Sequence, residues 1–154
     1  AASDVYKRQP QGGSIQVVDD YAHHPNEIKA TLQAARQAFQ GQRLTLVFQP
    51  HRYTRTRDHF DDFIEALRLA DLIILTEVYA AGEAPIAAAD GKALARSLRT
   101  HFHLEPIYQS TLEKLPETIL EVSRDQDVVL TMGAGSITKV AAWLKDLAEQ
   151  GQHT

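Results

Sequence analysis

"VVDDYAHHPNEIKATLQAA", residues 17–35, changes period in the middle. It opens as an apolar run that ends on two aspartates. From Pro25 onward, Ile28, Leu32, Ala35 and Phe39 recur at helical spacing, which predicts an amphipathic helix over 25–40. Pro25 suits the first turn, where its missing N–H costs nothing, and Gly41 suits the stop. With Ile15–Val18 as a short β-rich run, the stretch reads strand, turn, helix. The turn itself is crowded with titratable groups: Asp19, Asp20, Tyr21, His23 and His24.

The same alternation continues outward. "RLTLVF" (43–48) predicts a second strand, and Phe60, Phe63, Ile64 and Leu67 predict a helix over 57–69. "DLIILTE" (71–77) is a near-continuous apolar run, as expected of a parallel strand covered on both faces. Leu94 and Leu98 mark a helix over 91–100, and "PIYQ" (106–109) is a weak strand. Leu112, Leu115, Ile119 and Val122 mark another helix, with Pro116 near its start. "DVVLTM" (127–132) is the last strand, and "GAGS" (133–136) turns into a helix with Val140, Trp143, Leu144 and Leu147 on one face. The order βαβαβαβαβα predicts a mostly parallel sheet with helices on both faces. Right-handed crossovers then put the functional loops at the carboxyl ends of the strands. Those loops hold Asp20–His24, Gln49–Arg57, Gly133–Ser136 and, in an Ala- and Gly-rich segment, Glu83.

Composition narrows the function classes. The 154 residues suit one domain with a real core. With no cysteine there is no disulfide, thiolate zinc site or thiol nucleophile, a composition that fits a cytosolic protein. A formal net charge of -4 argues against a nucleic-acid partner, which calls for a basic face. The apolar runs are too short to cross a bilayer, and no signal-peptide pattern is visible, so no membrane partner is expected. Residues 1–13, "AASDVYKRQPQGG", have no clear period and are set aside as a tail, a linker or a junction of cloning or assembly. The domain is placed at 14–154, as one part of a longer protein.

Each polar cluster has two readings. In "DDYAHHP" the acidic strand end either caps the helix through Asp20 or His24, or faces a ligand. An acid after a strand in such a fold often accepts a ribose hydroxyl, and Tyr21, His23 and His24 project from the same turn. No metal is assigned, because neighbouring histidines are poorly placed to share one ion and no H-x-x-x-H spacing accompanies them. In "FQPHRYTRTRD" the arginines are either a solvated basic turn that pairs with Asp58, Asp61 or Asp62, as is expected of Arg57, or, as is favoured for Arg52 and Arg55, guanidinium forks that match a carboxylate or phosphate. "GAGS" is either an anion-presenting turn or simply a tight one. It is not a dinucleotide fingerprint, since position 138 is Thr, and no G-x-x-x-x-G-K-[ST] loop or G-x-S-x-G elbow occurs.

"DDYAHHPNEI", "FQPHRYTRT", "VYAAGEAPI" and "MGAGSITKV", in this order and spacing, resemble the C-terminal domain of the bacterial Mur ligase family, in its alanine-adding branch. The resemblance covers residues 14 to about 150. It implies a Rossmann-like three-layer sandwich and an ATP-dependent amide-forming reaction of peptidoglycan synthesis in the bacterial cytoplasm. The partners it implies are L-alanine, ATP and UDP-N-acetylmuramate, with Mg2+ bound mainly by a central domain these residues do not include. Asp20 is then the ribose contact of ATP. Arg52 and Arg55 clamp the carboxylate of alanine, with Tyr21, His23 and His51 shaping that pocket. His23 or His51 is the candidate acceptor of the amine proton, with water and phosphate as alternatives. Lacking a P-loop, the chain alone is expected to be inactive. The competing readings are the tripeptide-recycling branch, which lacks "PHRYTRT", and a stand-alone nucleotide- or anion-binding module. A receiver-like phosphotransfer domain would need a lysine at a strand end, and Lys139 lies inside the last helix.

Overall fold

The computed structural model describes residues 2–7 and 12–152. Six strands form one sheet: β1 (Ala2–Lys7), β2 (Ser14–Asp20), β3 (Leu44–Phe48), β4 (Leu72–Leu75), β5 (Ile107–Tyr108) and β6 (Val128–Met132). Their order is β1-β2-β6-β3-β4-β5, and every neighbouring pair is parallel except β1 with β2. The helices are α1 (Pro25–Ala38), α2 (Tyr53–Asp58), α3 (Phe60–Leu67), α4 (Gly91–Phe102), α5 (Leu115–Val122) and α6 (Val140–Gln152).

Strand alternation sorts the core into two faces. Leu46 and Phe48 of β3 point to one side, where Ile28 and Leu32 of α1, Phe63 and Leu67 of α3, and Leu94 and Leu98 of α4 are fully buried against them. Val47, Ile74 and Val129 point to the other side, against Leu115 and Ile119 of α5 and Val140 and Leu144 of α6. The result is the three-layer sandwich with helices on both faces that the residue pattern and the resemblance imply. Each of these aliphatic or aromatic side chains contributes about 1.5–3 kcal/mol by leaving water.

The amino-terminal end of the sheet is fastened by ion pairs. Arg43 grips the buried Asp127 carboxylate through Nε and a second guanidinium nitrogen, and also donates to the Val122 carbonyl. Arg36 pairs with Asp71, which accepts the Leu44 N–H as well. That leaves the carboxyl ends of the strands as the open end.

The structure differs from the sequence expectation in three places. Residues 2–7, set aside as part of a tail, form β1, paired antiparallel to β2 from Ala2–Asp19 to Lys7–Ser14, with Tyr6 packing onto the α5–α6 side. The segment 49–57, expected as loop, is helical from Tyr53, because the Arg52 carbonyl accepts both the Thr56 N–H and its hydroxyl. The helix expected at 57–69 is accordingly two helices, broken at His59, whose φ of -120° is not helical.

Candidate active site

The first wall of the site is the β2–α1 turn. Asp19 accepts a hydrogen bond from the Thr131 hydroxyl on the neighbouring β6 (2.8 Å), which ties it to the sheet. Asp20 accepts the Ala22 N–H at 2.8 Å through Oδ1, and its other carboxylate oxygen has no partner among the described residues. Tyr21 projects into solvent, 65% exposed, edge-on to the His23 ring. His24 is the residue before α1, and Glu27 reaches back to its N–H at 3.0 Å, so the carboxylate supplies the cap. Those backbone bonds hold the Glu27 carboxyl below its usual range against the opposing effect of burial. Burial, and then the charges of Arg55 and His23, push the His24 ring toward its neutral form.

The second wall is the exit of β3. Its loop is laced to the segment after β4: Tyr79 N–H donates to the Pro50 carbonyl and Arg52 N–H to the Tyr79 carbonyl, both at 2.8 Å. This pairing sets the His51 ring on the Tyr79 ring, stacked at 5.3 Å between centroids. It also forces Arg52 to a φ of 71°, a region rarely adopted by residues with a Cβ and costing roughly 1–3 kcal/mol. The Arg52 guanidinium is exposed and has no hydrogen-bond or ion-pair partner among the described residues. Arg55 turns inward, donating from one guanidinium nitrogen to His51 Nδ1 (3.0 Å) and to the His51 carbonyl (3.2 Å). Burial, then Arg55, His23 and Arg52, lower the pKa of His51, with Glu83 opposing. Glu83 pins its own loop to α2 by accepting the Thr54 N–H at 3.1 Å and hydroxyl at 2.5 Å, and those bonds lower its carboxyl pKa. Arg57 pairs with Asp58, as the sequence suggests.

Between the walls lies "GAGS". Buried Gln49 accepts the Ile137 N–H and donates to the Ser136 hydroxyl, each at 3.0 Å. The N–H that follows the turn, on Ile137, is thus already taken by a side chain from the end of β3. Gly135 is needed for close approach: a Cβ there would lie 2.6 Å from Tyr79 Cγ. The turn therefore seats Tyr79, and through it His51. His23 meets His51 across the gap, 5.9 Å between ring centroids. Asp20, Tyr21 and His23 thus stand at the carboxyl end of β2, and His51, Arg52 and Arg55 beyond that of β3, on either side of β6, the end of the sheet at which the sequence places the functional loops.

The sequence profile described as "Mur ligase, glutamate ligase domain" matches residues 5–135. The chain belongs to the Mur ligase family. Among its relatives, the UDP-N-acetylmuramate–L-alanine ligase of Neisseria meningitidis is 58% identical over 141 residues, covering 92% of this chain and 30% of the relative. The corresponding ligase of Methylobacillus flagellatus is 56% identical over 142 residues, with the same shares of each chain covered. The crystal structure of a UDP-N-acetylmuramate–alanine ligase from Thermotoga maritima superposes with a TM-score of 0.70 at 31% identity, over 92% of this chain and 28% of that one. The chain therefore spans about 30% of the length of the relatives it matches.

Within this Mur ligase domain, His23, His24 and Glu27 offer ligand atoms all within 4.8 Å of one another. They do not suit Mg2+, which takes oxygen ligands in an octahedron. Two of the three are imidazoles, and the Glu27 oxygen is spent on the helix start. Several site residues escaped the sequence reading. Tyr79 and Gln49 hold the loops from a distance. Glu77 accepts the Val78 and Gly91 N–H groups and the Tyr108 hydroxyl, linking the β4 end to α4 and β5. Their local signal was only position, since each sits at or just beyond a strand's carboxyl end. No helix among the described residues is long and apolar enough to cross a membrane.

Proposed function

We propose that the chain is the C-terminal domain of an ATP-dependent ligase that joins L-alanine to UDP-N-acetylmuramate in the bacterial cytoplasm. The observation that carries this reading is the strained, exposed Arg52 beside Arg55 and His51: a preformed cationic corner at the strand ends with an unpaired guanidinium. A two-point fork of that kind suits the carboxylate of a small amino acid. Tyr21 and His23 form the opposite side of the pocket. The free Asp20 oxygen is the acceptor for the ribose of ATP. In the reaction, the lactyl carboxylate of the sugar takes the terminal phosphoryl group of ATP. The alanine amine attacks the acyl phosphate, the amide C–N bond forms and phosphate leaves. Fixing the carboxylate aims the amine, which is catalysis by orientation. Mg2+ offsets phosphate charge in such transfers and is assigned to residues outside these 154, as are the UDP-sugar site and the P-loop.

The test is ADP release by a chimera in which this chain replaces the matching region of the Neisseria meningitidis ligase. The assay offers UDP-N-acetylmuramate and ATP with either L-alanine or the L-Ala-γ-D-Glu-meso-diaminopimelate tripeptide as the amine. Alanine-dependent release supports the reading. Tripeptide-only release moves the chain to the recycling branch, and release by this chain alone refutes its dependence on other domains.

A further inference from the structure

The two histidines that face each other in the pocket are held in opposite tautomers, and this divides their labour. Guanidinium nitrogens only donate, so the 3.0 Å contact from Arg55 requires His51 Nδ1 to be the acceptor. Neutral His51 therefore carries its proton on Nε2. His23 is the converse. Its Nδ1 lies 3.1 Å from the Tyr21 carbonyl, which only accepts, and 3.7 Å from the Glu27 carboxylate. Neutral His23 therefore carries its proton on Nδ1 and leaves Nε2 as a bare lone pair. The orienting group on the far nitrogen decides what the near nitrogen can do.

From this pair of contacts we infer that His23 Nε2 is the base that takes the proton from the alanine nitrogen, and that His51 Nε2–H is a hydrogen-bond donor to anionic oxygen. The inference rests on the function proposed above and selects between the two histidines that the sequence left open. In the step, the nitrogen lone pair forms the C–N bond to the acyl phosphate carbon, and that nitrogen becomes acidic. Its proton passes to His23 Nε2, and the C–O bond to phosphate breaks with the electron pair leaving on phosphate. His51, set beside Arg52 and Arg55, donates to the alanine carboxylate or to the departing phosphate. The groups facing His23 are Glu27, His24, Tyr21 and His51; those facing His51 are Arg55, Arg52, Tyr79, His23 and Glu83. His51 is surrounded by guanidinium charge that disfavours a second proton, whereas His23 has a carboxylate on its far side.

The first readout needs no catalysis. Long-range 15N–1H correlation spectra of this chain above pH 8, assigned with His23→Gln and His51→Gln, report each tautomer. The expected result is Nδ1–H at His23 and Nε2–H at His51. Free imidazole side chains favour Nε2–H in water, so His23 is the informative residue, and an Nε2–H signal there overturns the inference. The second readout uses the alanine-active chimera. His23→Gln is expected to lower kcat by about a hundredfold or more, with a small change in alanine KM, and to remove the acid limb of the kcat–pH profile. His51→Gln keeps an amide donor near the Nε2 position and is expected to raise alanine KM while the acid limb persists. A chimera inactive with the native chain sinks the functional proposal itself. An active chimera in which His23→Gln keeps kcat and its acid limb sinks only the assignment of the base.

Discussion

Gly135→Ala is the substitution that best tests how the glycine turn supports the site. An added Cβ would stand 2.6 Å from Tyr79 Cγ, 2.9 Å from Tyr79 Cβ and 2.9 Å from Gln49 Oε1. The near atoms of Tyr79 are the stiff root of the side chain, and its backbone is held on both sides by 2.8 Å hydrogen bonds to Pro50 and Arg52. Relief must come from moving the Tyr79 ring or the turn. Overpacking of this kind costs about 1–3 kcal/mol. The loss of glycine's freedom in the unfolded chain returns about 0.4–1 kcal/mol. The net effect is a destabilisation of roughly 1–2 kcal/mol, or a fall in Tm of roughly 2–8 °C for a chain of this size. Thermal unfolding followed by circular dichroism measures it, and the His51 ring-proton shifts report whether the stack on Tyr79 has moved. Tyr79→Ala in the same background removes Cγ, so the double variant should be destabilised by less than the sum of the singles. An unchanged Tm with unmoved His51 signals would show that the turn does not seat Tyr79, and the support proposed for His51 would fall.

Asp127→Ala leaves Arg43 without its buried partner and should cost about 3 kcal/mol, at the low end for a broken buried pair because Arg43 keeps some solvent contact; a Tm within 2 °C of the parent, where roughly 6–12 °C is expected, would refute this. Acid should weaken the fold in two stages. His24 and His51 have lowered pKa values, so their contribution is complete above about 6.5 and declines as pH falls through that value, when the unfolded chain takes up protons first. Glu27, Asp71 and Glu83 are also lowered, and their contribution is lost only as pH falls below about 4.5. A urea midpoint that stays flat from pH 8 to pH 5 contradicts the histidine stage. Glu83→Ala frees the Thr54 N–H, so hydrogen exchange there should accelerate while Val47, in the centre of the sheet, stays protected; equal protection at Thr54 in both proteins would count against the latch.

The β–α alternation was legible because apolar runs and helical spacing are local signals, and the strand ends then located Asp20, His23, His51, Arg52 and Arg55 together. What escaped was set by partners far along the chain. "RYTRTRD" has no apolar stripe, and besides the local bonds to the Arg52 carbonyl its first turn is held by Glu83, 29 residues away, which accepts from Thr54. Among the described side chains of β1, Tyr6 packs inward while Val5 is exposed, too little for a periodic signal. The tautomers of His23 and His51 depend on one carbonyl and one guanidinium, which no spacing rule places. "GAGS" was readable as a turn, but the Gln49 amide that holds its Ser136 hydroxyl and the following Ile137 N–H comes from the end of β3.

The position of β6 has a consequence for how the chain reaches this state. The strand nearest the carboxyl end lies between β2 and β3, so Asp19 waits for Thr131, 112 residues later, before its side chain is satisfied. Pairings of such long sequence separation slow folding, because the loop entropy is spent before the contacts form. During synthesis, β2 and α1 emerge without the neighbour that joins them to β3 and β4. The two histidine-bearing loops therefore cannot face each other until the last strand has left the ribosome and slotted into the middle of the sheet. A nascent chain stopped before Met132 should expose two unpaired inner edges, which makes it a substrate for chaperones and a seed for aggregation.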